Sequence, residues 1–284
     1  MNTKYIFLDI DGTLFDHNNP DVPESAKLAI SLAKANKHKV FISSGGSYRD
    51  IPDKIKDLKP DGYVLGIGSH IICDNRTIAK VSLPLDLALN SLQYLLDNNL
   101  GFKIDCIDSI RAYLKEGQRF VYNTVKEDLD QLNQAEIQTY LNDHHLYFDD
   151  SIIDIVRAKD YEILKITTFD KDPVKTEKII KNLSKDLTYY IARLGDSDIY
   201  FSEIKHKDVH KAKGIQTVLD YYGANREDTI AIGDSINDLE MIEYSNIGIA
   251  MGNGCKELKE KADYITTSVA EDGIYNAFKH FELI

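Results

Sequence analysis

Lys4-Tyr5-Ile6-Phe7-Leu8-Asp9-Ile10-Asp11-Gly12-Thr13-Leu14 is an apolar run that delivers two carboxylates at its far end. Tyr5 to Ile10, soon followed by a glycine, reads as a buried parallel strand, and Gly12 lets the chain leave the sheet at once. Asp9 and Asp11 therefore fall at the carboxyl end of a strand. Residues two apart on a strand point the same way. A chain already turning at Gly12 can instead present one carboxylate and the neighbouring backbone carbonyl to a common point, where a cation would sit. Asp-Gly also begins ordinary turns, so partners elsewhere must decide the matter.

The first partner is Ile230-Ala231-Ile232-Gly233-Asp234-Ser235-Ile236-Asn237-Asp238, again an apolar strand that ends in glycine and carboxylates. In an open parallel sheet, ligands bind beyond the carboxyl ends of the strands where the strand order reverses, so two such ends can converge on one site. Asp9, Asp11, Asp234 and Asp238 would then crowd together. Two unit charges about 4 Å apart repel by roughly 4 kcal/mol at an effective dielectric near 20, so the cluster needs a divalent cation or a bound proton. Oxygen ligands without His or Cys point to Mg²⁺. A second partner is the small, hydroxyl-rich turn Ser43-Ser44-Gly45-Gly46-Ser47, which follows a strand and precedes a helix expected to run through Ile51 and Ile55; such a turn suits phosphate. The third is basic. Lys205-His206-Lys207-Asp208-Val209-His210-Lys211-Ala212-Lys213 opens a helix. Most of this run reads as a solvated helix entrance, with Lys211 assigned as the fixed positive charge that a phosphate beside carboxylates requires.

Outward from these motifs the chain alternates strand and helix. A helix over Pro23–Asn36 and strands over Lys39–Ile42 and Asp61–Gly66 complete the first part, and Gly66-Ile67-Gly68-Ser69-His70-Ile71-Ile72 reads as a glycine-broken hairpin entry. From about Leu83 the rhythm changes. Helices over Leu85–Leu96, Lys126–Asn142 and Pro173–Leu183 mix with strands over Phe102–Cys106, Glu162–Phe169, Thr188–Leu194 and Ile199–Ile204. At Lys211 the alternation resumes, with a helix to Tyr222, strands at Thr229–Ile232 and Ile247–Ala250, a helix through Met241 and a closing helix near Tyr275–Phe281. This pattern predicts an α/β fold: a Rossmann-like parallel-sheet core (residues 1–82 and 206–284) with an inserted α+β cap domain (residues 83–205). The cap's two connections, near Leu83 and Lys205, would let it move as a lid.

At 284 residues, two domains or one with a large insertion is the natural expectation. Lys plus Arg total 34 against 46 Asp plus Glu, a formal charge of -12, which argues against general nucleic-acid binding. No apolar run approaches membrane-spanning length, and the start of the chain lacks the pattern of a signal peptide. Cys73, Cys106 and Cys255 are far apart and form no Cys-x-x-Cys pair, which suggests neither a disulfide framework nor a zinc site and favours a reducing cytoplasm. Oligomeric state is not encoded in any of these features.

Taken together, Asp-x-Asp-Gly-Thr, Ser-Gly, a Lys before a helix and Gly-Asp-x-x-Asn-Asp occur in the order that resembles the haloacid dehalogenase superfamily of phosphatases. The large insertion, with Gly233–Met241 and Ala250-Met251-Gly252-Asn253, is similar to the Cof-type sugar-phosphatase branch. The core resemblance reaches Glu271-Asp272-Gly273-Ile274 near the C-terminus. It implies that Asp9 is the nucleophile and Asp11 the general acid and base, with Thr13 in the same motif. It places Ser44, Gly45, Lys211 and Asn237 at the phosphate. Mg²⁺ would be held by one Asp9 oxygen, the Asp11 carbonyl and Asp234, with Asp238 holding metal-bound water. The reaction implied is Mg²⁺-dependent hydrolysis of a small phosphorylated metabolite, such as a sugar phosphate, through an aspartyl-phosphate. Two positions depart from the pattern. Gly46 stands where close relatives usually carry Arg, and Gly68-Ser69-His70 replaces a common Asn-Gly-Ala. Arg49, about one helical turn on, is the nearest cation that could compensate for Gly46. Arg111, Tyr113, Arg119 and Arg157 are candidate cap contacts. A phosphomutase, a phospho-accepting regulator and a catalytically silent ligand binder stay open as alternatives.

Overall fold

In a computed structural model that describes residues 2–16, 20–107, 109–113, 133, 139, 146–148, 152–159, 161–194 and 197–284, the opening apolar run is strand β1 (Tyr5–Leu8), deep inside an eight-stranded sheet. The chain continues through α1 (Glu24–Ala35), β2 (Lys39–Ser43), α2 (Asp53–Lys56), β3 (Gly62–Leu65), β4 (His70–Cys73) and β5 (Arg76–Lys80). It then builds α3 (Leu85–Asp97), β6 (Gly101–Cys106), β7 (Ile110–Tyr113), β8 (Leu146–Phe148), α4 (Ile152–Ala158), β9 (Ile163–Asp170), α5 (Pro173–Ile180), β10 (Leu187–Arg193) and β11 (Tyr200–His206). The return comprises α6 (Lys211–Tyr222), β12 (Thr229–Gly233), α7 (Leu239–Tyr244), β13 (Ile247–Ala250), α8 (Lys256–Lys259), β14 (Tyr264–Ile265) and α9 (Gly273–His280). Two compact units result: Met1–Val81 with Asp208–Ile284, and Ser82–Lys207. Among the described residues, no helix is long and apolar enough to cross a membrane.

The first unit's sheet has the order β14-β13-β12-β1-β2-β3-β4-β5. From β14 to β3 all neighbours are parallel, and β4 and β5 add an antiparallel edge. β1 lies between β12 and β2, with Leu8 level with both Ile232 and Ile42. Strands buried on both faces must be apolar throughout, and β1 shows why. Ile6 and Leu8 pack with Val40, Ile42, Ile230 and Ile232 against α1 and α9. Tyr5 and Phe7 pack on the opposite face with Phe41, Ala231 and the α6 residues Ile215, Val218 and Leu219. Helix α1 buries Ala26, Ala29, Ile30 and Ala33, one stripe at helical spacing.

One predicted helix is cut short. The segment through Ile51 and Ile55 forms a 3₁₀ turn at Tyr48–Asp50 and then the single turn of α2. Ile51 is extended, with φ -72° and ψ 116°, because the residue before a proline is driven out of the helical region and Pro52 lacks the amide to continue a helix. In the second unit a six-stranded sheet, mostly antiparallel, has the order β10-β11-β9-β6-β7-β8. One face packs Phe102, Ile104, Ile166 and Ile204 against α3, α4 and α5. Lys103, Asp105, Lys165, Thr167 and Glu203 alternate with those residues along β6, β9 and β11 and so lie on the other face. The expected helix over Lys126–Asn142 and the candidate Arg119 fall outside the described residues.

Candidate active site

Because β1 and β12 are adjacent and parallel, their carboxyl ends deliver both acidic motifs to the same edge of the sheet. The amide of Asp9 donates to the Ile232 carbonyl at 3.0 Å, which sets the first aspartate beside the second strand's end. Asp9, Asp234 and Asp238 each place a carboxylate oxygen within 4.8 Å of the others. Gly12 makes this approach possible. It has φ +81°, and a Cβ there would lie 2.2 Å from an Asp234 oxygen, so any larger residue would displace the carboxylate. The Thr13 hydroxyl, itself buried, donates to Asp234 at 3.4 Å.

Lys211 enters from the first turn of α6 and is fully buried. Its Nζ donates to Asp9 at 2.5 Å, to Asp238 and, at 3.3 Å, to the Ser43 carbonyl. Two features hold the helix start in place. The His210 ring accepts from the Lys213 amide at 3.1 Å as the cap. Gly68, at φ +99°, lets the His210 carbonyl come so close that a Cβ would stand 2.3 Å away. Gly68, the first residue of the departure Gly68-Ser69-His70, therefore serves close packing at the start of the lysine's helix. Asp238 uses both oxygens: one takes Lys211 and the other accepts from the Asp234 and Ser235 amides at 3.0 and 3.1 Å.

Burial first, then the neighbouring Asp238 charge, raises the Asp9 carboxyl well above the usual carboxylate range, with Lys211 opposing part of the effect and Asp234 adding to it. Asp234 is pushed up to about 7 by burial and by Asp238, against the pull of Lys211 and the Thr13 hydroxyl. Burial works against the Lys211 charge, but Asp238 and Asp9 outweigh it and hold the ammonium above its ordinary value. With all three carboxylates ionised, one ammonium leaves a net charge of -2, which one divalent cation would balance. The donor set is all oxygen and closely spaced, so the chemistry of a hard divalent cation fits these residues.

The remaining candidates divide. Ser44 is buried, its amide bonded to the Val64 carbonyl and its hydroxyl accepting from the Gly46 amide at 3.1 Å, so Ser44, Gly45 and Gly46 form one tight turn at the end of β2. Asn237 is half-buried and its carbonyl oxygen accepts from the Ser235 hydroxyl at 2.9 Å. Asp11 is exposed on the turn beyond Asp9, and its charge still raises Asp234. Arg49 is exposed on the 3₁₀ turn. Asp50, not Arg49, turns back over this segment and accepts from the Ser47 amide at 2.7 Å. In the second unit Arg157 is exposed and pairs with Asp154 at 3.1 Å, while Arg111 and Tyr113 lie in β7. Sequence reasoning missed the Ser43 carbonyl, the His210 cap and Asn253. Only Asn253 carried a signal, as the last residue of Ala250-Met251-Gly252-Asn253.

With two strand-end acid clusters joined through a buried lysine, comparison with known proteins becomes decisive. The sequence profile of the haloacid dehalogenase-like hydrolases matches residues 6–278. The chain belongs to this family. A 5-amino-6-(5-phospho-D-ribitylamino)uracil phosphatase of Bacillus subtilis, YcsE, is 33% identical over 284 residues, covering 100% of this chain and 97% of its own. The structure of the subclass IIB sugar phosphatase BT4131 superposes with a TM-score of 0.80 at 25% identity over 99% of this chain and 100% of its own. BT1666 of Bacteroides thetaiotaomicron has a TM-score of 0.83 at 23% identity, covering 99% and 96%, and so shares the fold. The chain is thus an enzyme of the Cof-type phosphatase branch, a phosphoric monoester hydrolase with a parallel-sheet core and a separate, largely antiparallel sheet.

Proposed function

We propose that this phosphatase hydrolyses the phosphate ester of a small sugar- or polyol-like metabolite through an aspartyl-phosphate on Asp9. The single observation that carries the reading is Lys211, buried and bonded to Asp9 at the edge where Asp9, Asp234 and Asp238 meet. A buried carboxylate is a poor partner for a phosphate dianion unless fixed positive charge surrounds both. Lys211 supplies one such charge, and Mg²⁺, held by Asp9, the Asp11 carbonyl and Asp234 with Asp238 acting through water, supplies the rest when bound. Asp238 also keeps Lys211 aimed at Asp9.

In the first step Asp9 attacks phosphorus while protonated Asp11 delivers its proton to the leaving alkoxide oxygen. In the second step Asp11, now a carboxylate, takes a proton from the water that cleaves the aspartyl-phosphate. Ser44, Gly45 and Asn237 hold the phosphoryl oxygens, and Thr13 keeps the first turn against Asp234. We assign the unit around residues 83–205 the role of a cap that selects the leaving group. The sugar phosphatase name of one relative and the phosphorylated ribityl group in the name of another support a polyol-like ester.

The test is release of inorganic phosphate across a panel of sugar and polyol phosphates with and without Mg²⁺. The wild-type protein should be active only with the metal, and Asp9→Asn should lose at least a thousandfold in kcat. Asn at position 9 with undiminished turnover would overturn the assignment. Asp11→Asn should slow poor leaving groups far more than a nitrophenyl ester, because only the former need the proton.

A further inference from the structure

The pattern Ala250-Met251-Gly252-Asn253 has no part in the chemistry just described, yet its last residue reaches the first acidic turn. The Asn253 Nδ2 donates to the Gly12 carbonyl at 2.7 Å, and its Oδ1 accepts from the Val269 amide at 3.1 Å. The orientation of the amide is fixed by chemistry, since a carbonyl only accepts and a backbone amide only donates. The same short segment also holds the second acidic turn: the Cys255 amide donates to the Asp234 carbonyl at 2.7 Å. The segment is anchored in turn, with the Met251 amide bonded to the Gly233 carbonyl at 2.9 Å, the Gly252 amide to Thr267 at 3.1 Å and the Lys259 ammonium to the Gly252 carbonyl at 2.6 Å.

The acidic turns need such an external tie. Asp9, Asp234 and Asp238 repel one another, and the hydrogen bond from the Thr13 hydroxyl to Asp234, which links the two turns, is long at 3.4 Å. Gly12, at φ +81°, gives its turn conformational freedom. The Gly12 amide is bonded inward to the Phe15 carbonyl at 2.8 Å, so Asn253 provides the outward hold on the same residue. We propose that Asn253 is a positioning residue which, through the Gly12 carbonyl, braces the Asp11–Thr13 turn at its working distance from Asp234. The kinetic consequence rests on the phosphatase reading, while the brace itself is testable in the metal-free protein.

Two variants separate the contacts. Asn253→Asp keeps the size and the acceptor for Val269 but puts an oxygen in place of the donor to Gly12. Asn253→Ala removes both contacts without adding charge. Hydrogen exchange of the metal-free protein should be at least tenfold faster at the Gly12–Phe15 amides in both variants, with β9 and β11 as unchanged internal references. The half-saturating Mg²⁺ concentration should rise about fivefold or more and kcat fall about tenfold, with KM for the ester within twofold of wild type. Unchanged exchange at Gly12–Phe15, or a lower Tm with kcat and Mg²⁺ dependence intact, would overturn the brace. Should the alanine variant fail to fold, the near-isosteric aspartate variant carries the test. If wild type releases no phosphate from any ester while exchange responds as stated, the phosphatase reading fails and the brace stands.

Discussion

Lys211 is the residue on which the site's electrostatics turn. Breaking a buried ion pair leaves an uncompensated charge, which typically costs about 3–5 kcal/mol. Lys211→Met leaves Asp9 and Asp238 facing each other in a buried setting. It should therefore lower metal-free stability by about that amount in urea titrations and cut kcat at saturating Mg²⁺ by roughly a hundredfold or more. A stable but inactive variant would assign the lysine to catalysis alone. The raised Asp234 carboxyl gives a second test. A carboxyl whose folded value lies above its unfolded value binds its proton more tightly when folded, so stability falls as pH rises from about 4 to about 7, where Asp234 titrates. Metal-free protein should accordingly show a lower Tm at pH 8 than at pH 5. Added Mg²⁺, competing with that proton, should raise Tm more at pH 8 than at pH 5. Equal stabilisation at both values would separate Asp234 from metal binding. Arg49 is exposed on a turn closed by Asp50, so its part in holding substrate is a proposal for Arg49→Ala kinetics, where a KM raised about tenfold would support contact and an unchanged KM would exclude it.

At the scale of elements, strand ends do the assembling. β1, β2 and β12 run parallel side by side, and each carries a different part of the site past its carboxyl end: Asp9, the Ser44 turn and Asp234. The apolar composition of these strands was readable because both sheet faces are covered. Helix α2 was not readable as drawn, since Ile51 and Ile55 share a helical stripe while Pro52 between them forbids the helix. In the second sheet, the Lys165 ammonium bonds Glu203, lies 3.8 Å from Asp105, and shares Glu203 with the Tyr190 hydroxyl. The strand pairing brings these residues together: Asp105 is level with Lys165, and Tyr190 with Glu203. Lys165→Met should destabilise this unit by about 3–5 kcal/mol, because Glu203 stays buried without its cation, while Asp105 keeps Lys103 at 3.2 Å. Hydrogen exchange should speed up in β9 and β11 and remain as in wild type in β1 and β12. Replacing Glu203 by Gln together with Lys165→Met should recover much of the loss, since the buried charge is then removed as well.

For the whole molecule, the net charge of -12 sets the terms on which an anionic substrate arrives. A field of the same sign lowers the local substrate concentration, and salt screens it over a length of roughly 8–10 Å near physiological ionic strength. KM for a phosphate dianion should therefore fall as ionic strength rises from about 10 to 150 mM at fixed Mg²⁺, while kcat changes little. A KM that rises instead would indicate that the local positive groups dominate the approach. The sequence alone determined which strands are buried, that two acidic clusters end them, and that a long segment of different rhythm separates the alternating parts. These are properties of period, composition and turn residues, which act within a few positions along the chain. Only the tertiary structure decided that Asp238 spends both oxygens on Lys211 and the Asp234 turn, that Gly68 makes room for the His210 carbonyl, and that Asn253 reaches Gly12 from 241 residues away. Such contacts depend on which strands become neighbours, and neighbours in a sheet are chosen by burial over the whole chain rather than by any local pattern.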